Sequence, residues 1–387
     1  MLKKKFLLCT HGTFHYFNLA KALNKKEQLL KIISGYPFIK LKKFNLPKFL
    51  IDANGLYQSL NFFLRKIGLG NNNPIFDYLN WKSSLLLDRK ASKYIEASDI
   101  FLSLSGGGLN TGLRFRKNKK IYICERASSH ILYANSILRK EYAKFGINFS
   151  INKKFITREL AEYKNANFVL VPSKFVQKTF EKQGVLNTRV LNYPSDNKTF
   201  FPIKSLIKKK YSSDKFKIVF VGGLTIRKGV HYLIEAFNKI KNDHLELHLI
   251  GALSQDYNLF KNNINFKNTY IHGHLDQKKI NTILNLSHVF VMPSIEEGAA
   301  ISVAQAMSVG LPVIVTENTG WKEVVLKYKN GFVIPIMNSN KIYQKLKFFY
   351  ENPEQIIKMS KQSVKYSKNK TWDKYAEELN SIVKNYY

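Results

Sequence analysis

Short apolar runs recur along this chain, each closing on a polar or glycine-containing turn and followed by a span of helical periodicity. KFLLC (5–9), LLKIIS (29–34), DIFLSL (99–104), KIYIC (120–124) and ANFVLV (166–171) fall in the first half. KIVFV (217–221), LELHLIG (245–251), HVFVM (288–292) and PVIVT (312–316) fall in the second. Unalternated runs of this length suit strands buried on both faces, and strands separated by helical spans return through right-handed crossovers into parallel sheets. The pattern predicts an α/β chain. Between the two groups, 201–215 is polar, basic and aperiodic and reads as an interdomain linker, so two successive parallel-sheet arrays are expected. The stretches 36–90 and 131–160 have aromatic-rich helical character without an assignable place.

Composition then limits function. A chain with 45% hydrophobic residues can bury enough apolar surface to offset its ordering entropy, which excludes global disorder. No apolar run approaches the roughly 20 residues of a membrane-crossing helix. The opening MLKKKFLLCTHGTFH turns polar too early for a secretory signal, so a cytoplasmic protein is expected. Cys9 and Cys124 are too few for a disulfide framework or a thiolate zinc site and are expected in the core. The 62 Lys and Arg exceed the 27 Asp and Glu by 62 − 27 = 35, an excess that attracts nucleic acid, anionic membrane or phosphorylated substrates. No zinc-finger, basic-zipper or RNA-recognition pattern accompanies it, so nucleic acid is not an expected partner. Peripheral contact with the inner face of an anionic membrane stays open.

Ligands of open α/β sheets bind at the carboxyl ends of strands, which directs attention to four places. Gly12, in Thr10-His11-Gly12-Thr13, follows the first strand, where a glycine serves either a ligand or the turn itself. Gly222 and Gly223 end a strand of the second array, and Arg227 and Lys228 open the following helix. Two cations at a helix N-terminus suit a diphosphate; a solvated basic turn is the bland alternative. In PSIEEGAAISVAQAMSVGLPVIVTENTG (293–320), Glu297 and Gln305 bracket a helix start, and the amides near Ala299 to Ser302 can bind phosphate oxygens. These residues could hold sugar and ribose hydroxyls or simply cap a helix. Finally, CERASSH (124–130) sets Glu125, Arg126 and His130 after a strand of the first array, as a catalytic group or as an internal Glu125–Arg126 ion pair.

Together these residues resemble a known family. The Gly-Gly turn with Arg227-Lys228-Gly229, the block Pro293 to Gly320, Glu323, Asn330-Gly331-Phe332 and the terminal Trp372 look like a family 4 (group 1) retaining glycosyltransferase of the GT-B fold. ELAEYKNANFVLVPSKFVQKTFEKQG (159–184) looks like the end of the first domain in these enzymes. The resemblance implies two Rossmann-like domains facing across a cleft. The first, 1–205 with a crossover helix at about 366–387, would hold the acceptor, and the second, 206–365, a nucleotide-sugar donor.

By resemblance, Arg227 and Lys228 bind the donor diphosphate, with Gly12, Gly222, Gly223 and Gly298 to Ala300 around it, and Glu297 contacts the transferred sugar. Gln305 stands where the family usually has a second glutamate on the ribose, a departure that removes a charge-assisted pair of bonds. The first-domain histidine that many members place near the reacting carbon corresponds approximately to Glu125, with His130 nearby. Without an Asp-x-Asp motif, neither metal nor cofactor is expected, the nucleotide-sugar being a substrate. The expected reaction is sugar transfer with retention to a glycan or lipid-linked acceptor, as in polysaccharide or lipopolysaccharide biosynthesis. The competing reading is a non-catalytic binder of polyanions or membrane surfaces, whose lysines would form a continuous stripe with no enclosed site.

Overall fold

The computed structural model describes residues 3–67 and 74–387. Two parallel sheets organise the chain. The first contains β1 (Phe6–Thr10), β2 (Leu29–Ser34), β3 (Ile51–Ala53), β4 (Ile100–Leu104), β5 (Ile121–Glu125), β6 (Phe168–Val171) and β7 (Thr188–Val190), in the order β3-β2-β1-β4-β5-β6-β7. The second contains β8 (Phe216–Val221), β9 (Leu245–Ile250), β10 (Thr269–Gly273), β11 (Val289–Met292), β12 (Val313–Thr316) and β13 (Gly331–Ile334), in the order β10-β9-β8-β11-β12-β13. Both orders reverse direction once, between β1 and β4 and between β8 and β11. Such a switch leaves a crevice at the carboxyl ends of the two central strands.

The inner strands are largely apolar because helices cover both faces. Every residue of β1, β4, β5, β6, β11 and β12 is buried. Cys9 and Cys124 are free thiols within this core, and burial raises the pKa of both. The unplaced stretches become helices, among them Leu56–Lys66, Pro74–Ala91, Ile131–Ala143 and Lys153–Asn165. One expectation is corrected: residues 204–211, taken as irregular linker, form a helix. It is held to the second domain where Asn285 Oδ1 accepts from Ile203 N at 2.8 Å and Asn285 Nδ2 donates to Phe201 O at 3.1 Å.

The helix Pro353–Lys368 packs beside Ile301–Ser308, and the last helix, Trp372–Lys384, crosses back to lie on the first domain against Tyr16–Lys25. Trp372, Tyr375, Ala376, Leu379 and Val383 form its buried stripe at helical spacing. Lys25–Asp373 (3.0 Å) and Lys26–Glu377 (2.8 Å) edge the contact, exposed pairs worth at most about 1 kcal/mol each, so the apolar stripe carries most of it.

A second tie joins the domains. Glu141, buried on the helix Ile131–Ala143, lies 3.1 Å from His231 Nε2 and accepts from Tyr232 OH at 2.8 Å, both on the second-domain helix Val230–Asn238. Burial alone raises its pKa, but hydrogen bonds from His231, Lys144 and Tyr232 outweigh that and hold it at about 2.

Candidate active site

A cavity of about 660 Å³ lies where the carboxyl ends of the two sheets face each other. Its wall on the first domain includes His11, Phe14 and His15 after β1, Ser105 after β4 and Arg126 after β5. The second domain contributes Gly222 and Gly223 after β8, then Arg227 and Lys228, and, after β11, Glu296, Glu297, Ala299 and Ala300. The crevice is thus built at both topological switch points.

Local geometry aims the two cations. Gly229 has φ +64°, and a Cβ there would lie 2.1 Å from Pro293 O, so only glycine lets the chain turn under Pro293 into the helix Val230–Asn238. The turn is pinned where Ile295 N donates to Arg227 O at 3.0 Å. Arg227 Nη1 donates to Glu296 O at 3.0 Å and lies 3.3 Å from carboxylate oxygens of Glu296 and Glu297. The Lys228 ammonium donates to Glu297 Oε2.

Burial works to raise the Glu297 pKa, but the charges of Arg227 and Lys228 outweigh it and hold the carboxyl below its ordinary value. Lys228 is shifted down by burial, against the opposing pull of Glu297. Arg227 is shifted up, because Glu297 and Glu296 overcome its own desolvation. Beside this cluster begins the helix Ile301–Ser308, whose N-cap Ala300 provides no side-chain acceptor. Its first amides and the two cations converge on one corner of the cavity, an arrangement suited to a diphosphate once Glu297 gives way.

Gly298 lies at the domain contact and does not line the cavity. A Cβ there would sit 1.8 Å from Ala127 O, Ser173 Oγ donates to its carbonyl at 2.8 Å, and next to it Ser129 N donates to Glu296 Oε1 at 2.7 Å. Glu296 therefore bridges the first domain and Arg227. Gln305 is half-buried on the helix Ile301–Ser308, one turn beyond Ile301, which lines the cavity. Gly12 packs against Tyr36, between cavity-lining neighbours, and its carbonyl accepts from Ser34 Oγ at 2.8 Å.

The first-domain residues are arranged otherwise than expected. The Glu125–Arg126 pair does not form; Arg126 Nη1 instead lies 2.7 Å from Glu159 Oε2 and 3.3 Å from Ser105 Oγ. Glu125 is buried beneath the cavity wall, with Oε1 2.7 Å from His15 Nε2 and accepting from Tyr193 OH at 2.6 Å. Burial would raise its pKa, but His15 and Tyr193 hold it below its ordinary value. His130 turns away from the cavity: its Nδ1 accepts from Leu132 N at 3.3 Å as a helix cap, and its ring packs between Tyr163 and Phe180. Burial lowers its pKa to about 4.

Two other histidines, His11 and His15, do line the cavity; the ring of His15 lies 4.2 Å from Tyr193 and parallel to Trp372 at 6.0 Å. Its place in the first turn after β1 is the sequence signal that could have found it. Glu296, first of the Glu-Glu pair, has no comparable signal, because its partner Ser129 is 167 residues away. Among the described residues no group of three or more His, Cys, Asp or Glu could hold a metal ion.

Comparison with known proteins agrees with this geometry. Over 179 residues the chain is 26% identical to the putative glycosyltransferase EpsD of Bacillus subtilis, covering 44% of this chain and 46% of that protein. The chain thus spans about half the length of such curated relatives. Among solved structures, sucrose-phosphate synthase from Thermosynechococcus elongatus superposes with a TM-score of 0.72 at 15% identity, covering 99% of both chains. Anabaena HepE, solved in complex with UDP, superposes with a TM-score of 0.70 at 13% identity, over 99% of this chain and 100% of that one. Residues 203–385 match the family model described as glycosyl transferases group 1. Residues 203–385 are thus similar to the group 1 glycosyltransferases, and the two-domain arrangement around them is the GT-B fold.

Proposed function

We propose that this protein transfers a sugar from a nucleotide-sugar donor to a glycan or lipid-linked acceptor, with retention at the anomeric carbon and without a metal ion. The observation that carries the reading is the convergence of Arg227, Lys228 and Glu297 beside an uncapped helix start on an interdomain cavity. Departure of the nucleoside diphosphate builds negative charge on phosphate oxygens, and preorganised cations and amides stabilise that charge without reorganising. Once phosphate occupies the cations, the Glu297 carboxylate is released toward the sugar hydroxyls. On the acceptor side we read His15, rather than Glu125 or His130, as the first-domain histidine near the reacting carbon. Glu125 is then a positioning residue that orients the imidazole. HepE, a fold neighbour, has been solved with UDP, which makes a uridine nucleotide-sugar the first donor to try.

The interdomain cavity favours this over a purely polyanion-binding protein, which needs no such site. A panel of nucleotide-sugars assayed for hydrolysis and transfer tests the reading. Lys228→Ala should lower turnover with the active donor by ~10²–10³, as for loss of one preorganised donor, with an unchanged circular dichroism spectrum. A Lys228→Ala protein with full activity would falsify the assignment.

A further inference from the structure

The helix Leu56–Lys66 is turned inside out relative to its surroundings. Its polar Asn61 is buried and donates to Asn80 Oδ1 at 2.9 Å. Leu56, Leu60, Phe63 and the following Ile67 are 68%, 40%, 58% and 60% exposed. Their spacing of four, three and four residues puts them on one stripe. The neighbouring segment repeats the pattern, with Ile39 75% and Phe49 71% exposed. A soluble monomer scatters its exposed apolar residues singly; a contiguous stripe marks a surface that meets something apolar.

The charge around the stripe says what that is. Lys40, Lys42, Lys43, Lys48 and Lys66 are exposed in the same region. Asp52 is the one acidic residue between positions 38 and 67, and Lys90 neutralises it at 2.7 Å. Apolar side chains interleaved with lysines fit an anionic phospholipid surface, which accepts rings and aliphatic groups at the acyl boundary and lysines at the phosphates. A protein partner would be selected by matching acids and pockets, and a bare apolar face would suit a second copy; neither accounts for the lysines.

The patch adjoins the cavity. Lys40 Nζ lies 3.4 Å from the Phe62 ring centroid, Phe62 meets Tyr36 edge-on at 5.5 Å, and Tyr36 packs at Gly12 beside Phe14, a lining residue that is 57% exposed. The geometry points to a membrane-docking face, formed by residues 39–49 and the helix Leu56–Lys66, that sets the acceptor side of the cavity against an anionic bilayer. Resting on the transferase reading, this makes the acceptor a lipid-linked one, presented at the bilayer surface directly to the cavity mouth.

Flotation with vesicles tests docking with no substrate present, so its outcome is separate from that of the transferase assay. The intact chain should float with vesicles containing phosphatidylglycerol, stay behind with pure phosphatidylcholine, and be released as salt rises through the physiological range. Lys42→Glu with Lys43→Glu should weaken partitioning by at least about 30-fold, given about five-fold per surface lysine lost. Leu60→Ser with Phe63→Ser should abolish it, with the circular dichroism spectrum and donor hydrolysis unchanged, since these side chains are exposed and outside the cavity lining. Lys208→Glu with Lys209→Glu, an equal charge change on exposed residues of the second domain, should leave flotation intact. Equal losses from both lysine pairs would reduce the effect to net charge and overturn the proposal. So would flotation indifferent to the patch, or a solution dimer that Leu60→Ser with Phe63→Ser converts to monomer.

Discussion

Replacing Glu297 with glutamine isolates a competition built into the unliganded site. Its carboxylate accepts from Lys228 and sits 3.3 Å from Arg227 Nη1, so it occupies the cations that a diphosphate needs. Glu297 is 8% exposed, and its depressed pKa keeps it ionised at neutral pH. Two unit charges about 4 Å apart interact by roughly 4 kcal/mol at an effective dielectric constant of 20. A phosphate arriving at Lys228 therefore faces a repulsion of that order unless Glu297 moves, and relaxation and solvent leave a net cost of about 1–2 kcal/mol.

Glu297→Gln removes this cost, so calorimetry with UDP should show binding about ten-fold tighter, since 1.4 kcal/mol is a factor of ten. The intact donor should not share the gain, because the variant also loses the acceptor for the sugar hydroxyls, and turnover should fall by ~10² or more. Affinity for UDP and for the donor falling in parallel would refute the reasoning and move Glu297 to the nucleotide end of the site.

Gln305 lies a turn past the cavity-lining Ile301. If it reaches the ribose, Gln305→Glu should hold or tighten donor affinity and Gln305→Leu should weaken it by about five- to ten-fold; a calorimetric match between the two variants leaves Gln305 as a helix residue only. Glu141 ties the domains with a pKa depressed to about 2 from 4.5, so its contribution is complete above about pH 4.5 and disappears as the pH falls toward 2. The urea-midpoint gap between wild type and Glu141→Gln should therefore be constant from pH 7 to 5 and narrow below pH 4; a gap that widens in acid contradicts that role.

The strands legible in the sequence are those buried on both faces, such as Phe6–Thr10 and Val313–Thr316. The four that escaped, β3, β7, β10 and β13, are the four sheet edges. Each edge strand is partly exposed, as at Asp52, Arg189, Tyr270 and Phe332, so none forms the continuous apolar run that marks a central strand. The helix Lys204–Tyr211 was hidden for a related reason: its sequence KSLIKKKY is mostly polar, and it is anchored by Asn285, over 70 residues downstream.

The second-domain half of the site was legible because its chemistry is local, a glycine turn, two adjacent cations and a helix start close together in sequence. The first-domain half was not. Glu125 and His130 are close in sequence to Arg126, but of these three only Arg126 lines the cavity. His15 owes its role to Glu125, Tyr193 and Trp372, contacts between residues 110 to 357 positions apart that no local pattern encodes.

The stacking of Trp372 beside His15 also orders events during synthesis. The first sheet is complete once Val190 has emerged, yet the helix that packs on Tyr16–Lys25 begins 372 − 190 = 182 residues later. At roughly 5–20 residues per second, the nascent first domain spends about 10–40 s with His15, Tyr193 and the apolar side of the helix Tyr16–Lys25 uncovered. Residues made long after the first sheet thus close the first domain, and until they do that half of the chain is a client for whatever holds exposed apolar surface out of aggregates.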